Sequence, residues 1–428
     1  MRVATQLRVG IVGGGWNGCH LALELKKQGH RVSLFEQKPD IFQGVSGNFG
    51  IRLHKGPHYP RSKATRDSCR EALVKFCETY PELVVHHESA ICAHGEADAL
   101  GNPSKVSDEA FRDVCYESPE CTAVDPKANG FQGLISAYNL DEPSVAIGDR
   151  LRNTFKEKLG RAGIYVHLNA TVDRIIHTED TNRIQTGDGQ YVFDVVINAT
   201  GYTSLLPQNI ADALPVDIGI TYQTCIALVY EDQQPQEKPL SFIVMDGWFP
   251  CVMPAIDTNE PLQKKYILTH GSYTILGSFD RHEEGQELLD SLDEEAIAAR
   301  IKPHCEREIT RFWPGFLDRF QYRGWKGSVL AKLKTTSEFR SSLTFEKDGV
   351  IHIFPGKVSN VVTAAEEVVP LINDIARRRH GVVREWNGVR FTVSSAFHTH
   401  SKEIGDKPGL GEHHTSNLQT YVSLVTAN

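Results

Sequence analysis

No apolar run in this 428-residue chain approaches the about 18–20 residues needed to cross a bilayer. The first residues hold no apolar signal core either, because Arg8 interrupts them and a glycine turn follows at once. Long blocks of like charge are also missing. With 46 Lys and Arg against 54 Asp and Glu, the net charge of −8 offers no general field for nucleic acid or an anionic membrane. The nine cysteines are odd in number and include no CxxC pair, which argues for scattered reduced thiols over a disulfide or zinc framework. Internal repeats and low-complexity tracts are absent. These absences leave a soluble, cytoplasmic, globular protein, long enough at 40% hydrophobic residues for two lobes, with a small molecule as its expected partner. They leave the oligomeric state open.

What is present is a strand-turn-helix signal, Arg8-Val-Gly-Ile-Val-Gly-Gly-Gly-Trp-Asn-Gly18. An apolar strand entering a glycine turn lets backbone amides at a helix N-terminus meet a pyrophosphate. Gly13 makes the tight turn, Gly15 lets phosphate approach bare backbone, and Gly18 lets the helix press on the sheet. Trp16 and Asn17 are bulkier than usual at their places. Glu36 closes a second apolar run, Val32-Ser-Leu-Phe35, eighteen positions after Gly18, where an acid accepts hydrogen bonds from a ribose. This pattern predicts a dinucleotide site.

Further along, the spacing predicts a helix from Ser62 to about Tyr80. It predicts another up to Gly160, with Asp141-Glu-Pro-Ser144 as its N-terminal cap signal. Strands are expected at 164–168, 171–176 and 191–198, the last delivering Ala199-Thr-Gly201 to a sheet edge. From Thr221 to Tyr273 the runs alternate without intervening helices, which suggests an antiparallel second lobe. A charged helical stretch at 284–312, broken near Pro303, precedes a buried strand at 350–354. The turn Pro355-Gly-Lys-Val-Ser-Asn360, a helix at 361–379 and a short strand near Val389 follow.

Three glycine-bearing strand ends, at Gly13–Gly18, Ala199–Gly201 and Pro355–Asn360, suit a cofactor as long as FAD. In order along residues 7–380 they resemble the flavoprotein superfamily of D-amino-acid oxidase, sarcosine oxidase and glycine oxidase, with its glutathione-reductase-type FAD fold. The resemblance implies an α/β fold with a Rossmann-type FAD-binding domain and a second, mainly antiparallel β substrate domain. The FAD domain would take residues 1–90, 140–215 and 325–385; the substrate domain, 91–139 and 216–324; and a C-terminal extension, 386–428. Ser46-Gly-Asn-Phe-Gly50 followed by Arg52 matches the family's stretch beside the pyrophosphate and flavin. Val172 occupies the adenine-contacting place, and Ala199-Thr-Gly201 looks like the family's ATG turn. Gly356, Ser359 and Asn360 look like the helix start facing the flavin pyrimidine.

Hydride removal by a flavin asks the protein mainly to orient a C–H bond and hold the substrate. His54, His58 and Tyr59 are candidates to handle protons or hydrogen bonds beside the flavin. Arg340 stands about where the resemblance implies a carboxylate-binding arginine. Lys326 and Lys332 are weaker candidates for the family's oxygen-activating lysine, and Tyr222 and Trp248 for an aromatic ceiling. No metal is expected, since His398, His400, His413 and His414 lie in a polar tail without a supporting strand. The expected function is an FAD-dependent oxidoreductase acting on an amine or amino-acid-like small molecule.

Two alternatives stay open, together with a catalytically silent nucleotide binder. The first is an NAD(P)H-dependent flavin monooxygenase, against which stand the lack of a second GxGxxG and of a Gly-Asp dipeptide before the last helix. The second is a non-redox flavoenzyme like UDP-galactopyranose mutase, to whose HKYGPH-type stretch Leu53–His58 is similar.

Overall fold

Five segments, Val350–Phe354, Val195–Asn198, Arg8–Val12, Arg31–Phe35 and the partly exposed edge Tyr165–His167, pair in that order as parallel strands of one sheet. The Val- and Ile-rich runs of the three central strands, Val350–Phe354, Val195–Asn198 and Arg8–Val12, reflect burial on both faces. The strands Leu343–Lys347, Val389–Thr392 and Arg384–Trp386 extend the sheet antiparallel. This computed structural model describes residues 6–49, 51–118, 120–178, 181–207, 219–245, 247–334, 342–347, 349–376, 384–386 and 389–392. Gly50, Arg340 and the histidines at 398, 400, 413 and 414 lie outside the described residues.

The expected strand at 191–198 is two strands, Gly189–Phe193 and Val195–Asn198, divided at Asp194. There the Asp194 carboxylate accepts from the Arg8 amide at 2.7 Å and pairs with its guanidinium at 2.7 Å. The first of the two joins Val172–His177 and Asn182–Thr186 in a small antiparallel sheet. Trp16, in the opening helix Trp16–Lys27, is buried among Phe42, Phe76, Tyr80 and Phe155 at ring distances of 5.2–5.5 Å. The fingerprint therefore tolerates a large residue because the ring turns away from the sheet and fills core.

A second sheet of nine strands carries the longest runs, Gly219–Gln236 and Phe320–Lys334, paired antiparallel along most of their length. Only Leu240–Met245 and Ser89–Gly95 pair parallel within it. Because Phe320–Lys334 belongs to this sheet throughout, the second layer runs past the boundary expected at residue 325. No break occurs at Pro303: a π-type turn, Ile297–Ile301, leads into the helix Lys302–Phe312, whose first turn holds the proline where its missing N–H is harmless. None of the nine cysteines is disulfide-bonded. Among the described residues, no helix is long and apolar enough to cross a membrane.

The helix Val361–Ala376 packs on Leu343–Lys347 and carries a buried acid, Glu367, whose pKa burial raises to about 8. The folded state therefore keeps a proton that the unfolded chain releases above its ordinary value of 4.5. Stability must fall as pH rises between those two values. Glu367→Gln removes the charge and keeps the shape. Thermal melts are expected to place the variant a few degrees above wild type near pH 8, with the gap closing as pH falls toward about 5.

Candidate active site

At the strand end, Gly13 turns with φ +111°, and a Cβ there would lie 2.5 Å from the Ala199 carbonyl oxygen. Two of the expected glycine-bearing strand ends, Gly13–Gly18 and Ala199–Gly201, are thus in contact. Gly201 itself adopts φ +73°. The opening helix has Gly15 at its N-cap, with no side chain to cap it, and carries no acid in its first turn, which leaves its positive end open to an anion. Ser46, on the short helix Val45–Asn48, reaches that terminus: its Oγ accepts from the Trp16 amide at 3.3 Å and lies 2.9 Å from where a Gly15 Cβ would stand. The Glu36 carboxylate accepts from the Gly14 amide at 2.7 Å and from the Lys38 amide at 2.8 Å. Val172 follows directly, because the Ala170 amide donates to the Glu36 carbonyl at 2.9 Å.

The third strand end opens on a cavity of about 600 Å³ between the two large sheets. Its walls come from three places: Phe49 to Ser62 in the loop after the short helix, Pro355 to Val358, and residues such as Ile243, Met253 and Ile267 on the antiparallel sheet. Ser359 and Asn360 are buried just behind, and Asn360 Oδ1 accepts from the Lys357 amide at 3.0 Å. Of the expected catalytic residues, His54, His58 and Tyr59 all line the cavity. The two imidazoles stack at 4.7 Å, and Tyr59 meets each edge-on at 5.3 Å. Burial, then the nearby Lys357 charge, lowers the His54 pKa to about 4, with Glu142 opposing. Burial and the neighbouring His54 push His58 down as well. Both rings are neutral at physiological pH.

Arg52 also lines the cavity and is buried, at 7% exposure. Its Nε lies 2.5 Å from Glu142 Oε2, an ion pair outside hydrogen-bond angles, while Nη1 and Nη2 have no hydrogen-bond partner. Lys357 places Nζ 3.2 Å from the Tyr59 ring centre and 3.2 Å from Cys69 Sγ. Glu142 and Lys357 are the charged positions beside this cavity that spacing did not single out. The Asp141-Glu-Pro-Ser144 segment reads as a helix cap, yet the helix starts at Gly148, Ser144–Val145 forms a short strand, and Glu142 turns inward to Arg52. An acid before proline gives no local sign of burial. Lys357 was visible only as the residue standing where some hydroxylases carry an acid.

The remaining candidates separate. Lys332 lines the cavity and donates to Gln223. Lys326 sits over the Phe49 ring at 5.8 Å, and burial lowers its pKa to about 8. Tyr222 is turned away, donating to the Tyr202 carbonyl at 2.9 Å, and Trp248 packs under Lys105 at 4.4 Å. Neither lines the cavity, so alternation along these strands marked core and rim and no ceiling.

A family model described as FAD dependent oxidoreductase (DAO) matches residues 8–364. The chain belongs to this family. The DAO assignment makes it an FAD-dependent oxidoreductase, and the residues fit the cofactor: a helix N-terminus with no acid in its first turn, and bare glycines against Ser46. The chain is 28% identical over 375 residues to the FAD-dependent monooxygenase FPY4 of Fusarium mangiferae, covering 86% of this chain and 91% of that protein. Among solved structures it is similar to the open form of NikD, an unusual amino acid oxidase essential for nikkomycin biosynthesis. There the TM-score is 0.64 at 14% identity, over 89% of this chain and 96% of the other. Glycine oxidase from Geobacillus kaustophilus gives a TM-score of 0.62 at 13% identity, over 88% and 96%. These two likenesses establish the fold.

Proposed function

We propose that this DAO-family enzyme oxidises a small amine or amino-acid-like molecule by removing a hydride from the carbon beside its nitrogen. The observation that carries this reading is the buried Arg52 beside a cavity sized for a small substrate, with no protein hydrogen-bond partner on its two terminal nitrogens. FAD, when bound, supplies the electron sink. The rest falls to the chain's own groups. Glu36, Gly13, Gly15, Gly18, Ser46, Val172, Gly201, Gly356, Ser359 and Asn360 would hold the cofactor. Arg52 would grip a substrate carboxylate with two parallel N–H bonds. Neutral His54 and His58 would exchange hydrogen bonds with the amine, Tyr59 would close one side, and Ile243, Met253 and Ile267 would keep water out. Thiols that form no disulfide suit a reducing compartment such as the cytoplasm.

The Fusarium relative is an FAD-dependent monooxygenase, and that supports a second reading, oxygen insertion, for which NAD(P)H would be the reductant. Anaerobic mixing of the purified yellow protein with amino acids, amines and NAD(P)H separates the two. Bleaching of the flavin by an amine or amino acid is the expected result. Bleaching by NADPH alone would transfer the assignment to the monooxygenase reading, and no bleaching by any of them would point to non-redox chemistry.

A further inference from the structure

We infer that Glu142 is a positioning residue: it holds the Arg52 guanidinium in an ion pair and cancels its charge, so that the cavity accepts a carboxylate attached to a cationic amine, relative to a simple anion, better than it would with that charge uncancelled. This rests on the substrate reading above. Glu142 is fully buried and contributes nothing to the cavity wall, whereas Arg52 and His54, its two side-chain partners, both do. Its Oε2 meets Arg52 Nε at 2.5 Å and His54 Nδ1 at 3.6 Å, and its Oε1 accepts from the Lys55 amide at 2.8 Å. Burial would raise its pKa, but the Arg52 charge and His54 outweigh that and keep it ionised.

The carboxylate is not what ties the two chain segments together. The Leu53 amide donates to the Pro143 carbonyl at 3.0 Å, and the Val145 amide donates to the Ile51 carbonyl at 2.7 Å. With the backbone already clamped on both sides, the acid adds orientation and charge. The ion pair at Nε leaves Nη1 and Nη2 without a protein partner. An uncancelled guanidinium in so dry a place would draw in any small anion and repel an ammonium group. Paired with Glu142, it offers directed donors with little net charge.

The test uses the FAD-loaded protein and two probes titrated by the change in flavin absorbance: acetate, and trimethylglycine, which carries a fixed cation beside its carboxylate. Glu142→Gln loses the charge and keeps one acceptor oxygen, enough for the Lys55 amide or for Arg52 but not for both. It is expected to tighten acetate relative to trimethylglycine by about tenfold. In an Arg52→Met background the same substitution should move neither Kd by more than about twofold, the signature of an effect carried through Arg52. Glu142→Asp, which keeps the charge, should restore the wild-type preference. Equal shifts for both probes, the same shift without Arg52, or no binding of either probe by the wild type would overturn the assignment. If Glu142→Gln folds poorly, Glu142→Asp and the Arg52→Met/Glu142→Met pair carry the comparison. The titrations need no turnover. A preference that shifts while no amine bleaches the flavin therefore sinks the substrate reading and leaves Glu142 in place, and the converse result sinks only Glu142.

Discussion

Arg52→Met is expected to lower kcat/KM for the bleaching substrate by about a hundredfold or more, since a charge-assisted bidentate contact is worth several kcal/mol in a dry site. FAD should still bind, because the residues that would hold its pyrophosphate, at the start of the opening helix, do not line this cavity. The variant carries a second penalty: Glu142 stays buried with its cation removed, which costs about 3–5 kcal/mol of stability. A thermal melt will show this as a lowered Tm and would confuse a reading based on activity alone. The double substitution Arg52→Met/Glu142→Met separates the two effects, because two apolar side chains replace the pair without orphaning either charge. It should recover most of the Tm and none of the turnover. Arg52→Lys should also fail to rescue, since one ammonium cannot present two parallel donors. Wild-type kcat/KM in Arg52→Met, measured on flavin-replete protein, would remove Arg52 from substrate binding.

Gly18→Ala is expected to give a colourless protein. A Cβ at Gly18 would stand 1.8 Å from the Gly13 carbonyl oxygen, a backbone atom that cannot swing aside. The helix must back away from the strand end, and its N-terminal amides leave the place where a pyrophosphate would lie. Strain of about 1–3 kcal/mol expressed in that geometry weakens FAD binding by about 10- to 100-fold, enough to lose it during purification. Gly29→Ala is the control. Gly29 also has a positive φ, +89°, but nothing lies within 4 Å of its added Cβ, so about 1–2 kcal/mol of local strain and a fully yellow protein are expected. Flavin content per polypeptide, read from the absorbance of the purified variants, decides between the outcomes.

The two substitutions also mark different depths of legibility. Gly18 was readable because its requirement is local: a strand end and a helix a few residues apart must cross closely, and only a residue without Cβ permits it. The placement of Glu36 beside Gly14 followed from the regular length of a strand-helix-strand unit. His54, His58 and Tyr59 were readable as a group, since a short loop after the Ser46 helix must deliver them together. Asp141 to Ser144 misled because an acid, a proline and a serine before a helical pattern serve equally well as a cap or as a buried turn. Tyr222 and Trp248 misled for a related reason: period-two spacing says which residues share a face but not which face meets the cavity.

Sequence alone therefore determined the dinucleotide turn, the parallel strands that carry it and the change to antiparallel pairing beyond Thr221, all of which arise from steric and periodic rules acting over a few residues. The charge pairing was decided only by the tertiary structure. Glu142 meets the Lys55 loop across 87 positions, and Lys357 meets Cys69 across 288. Contacts at that separation depend on how two sheets stack. No local preference in a stretch of chain reports whether an ionised side chain will find its counter-ion buried or face water instead.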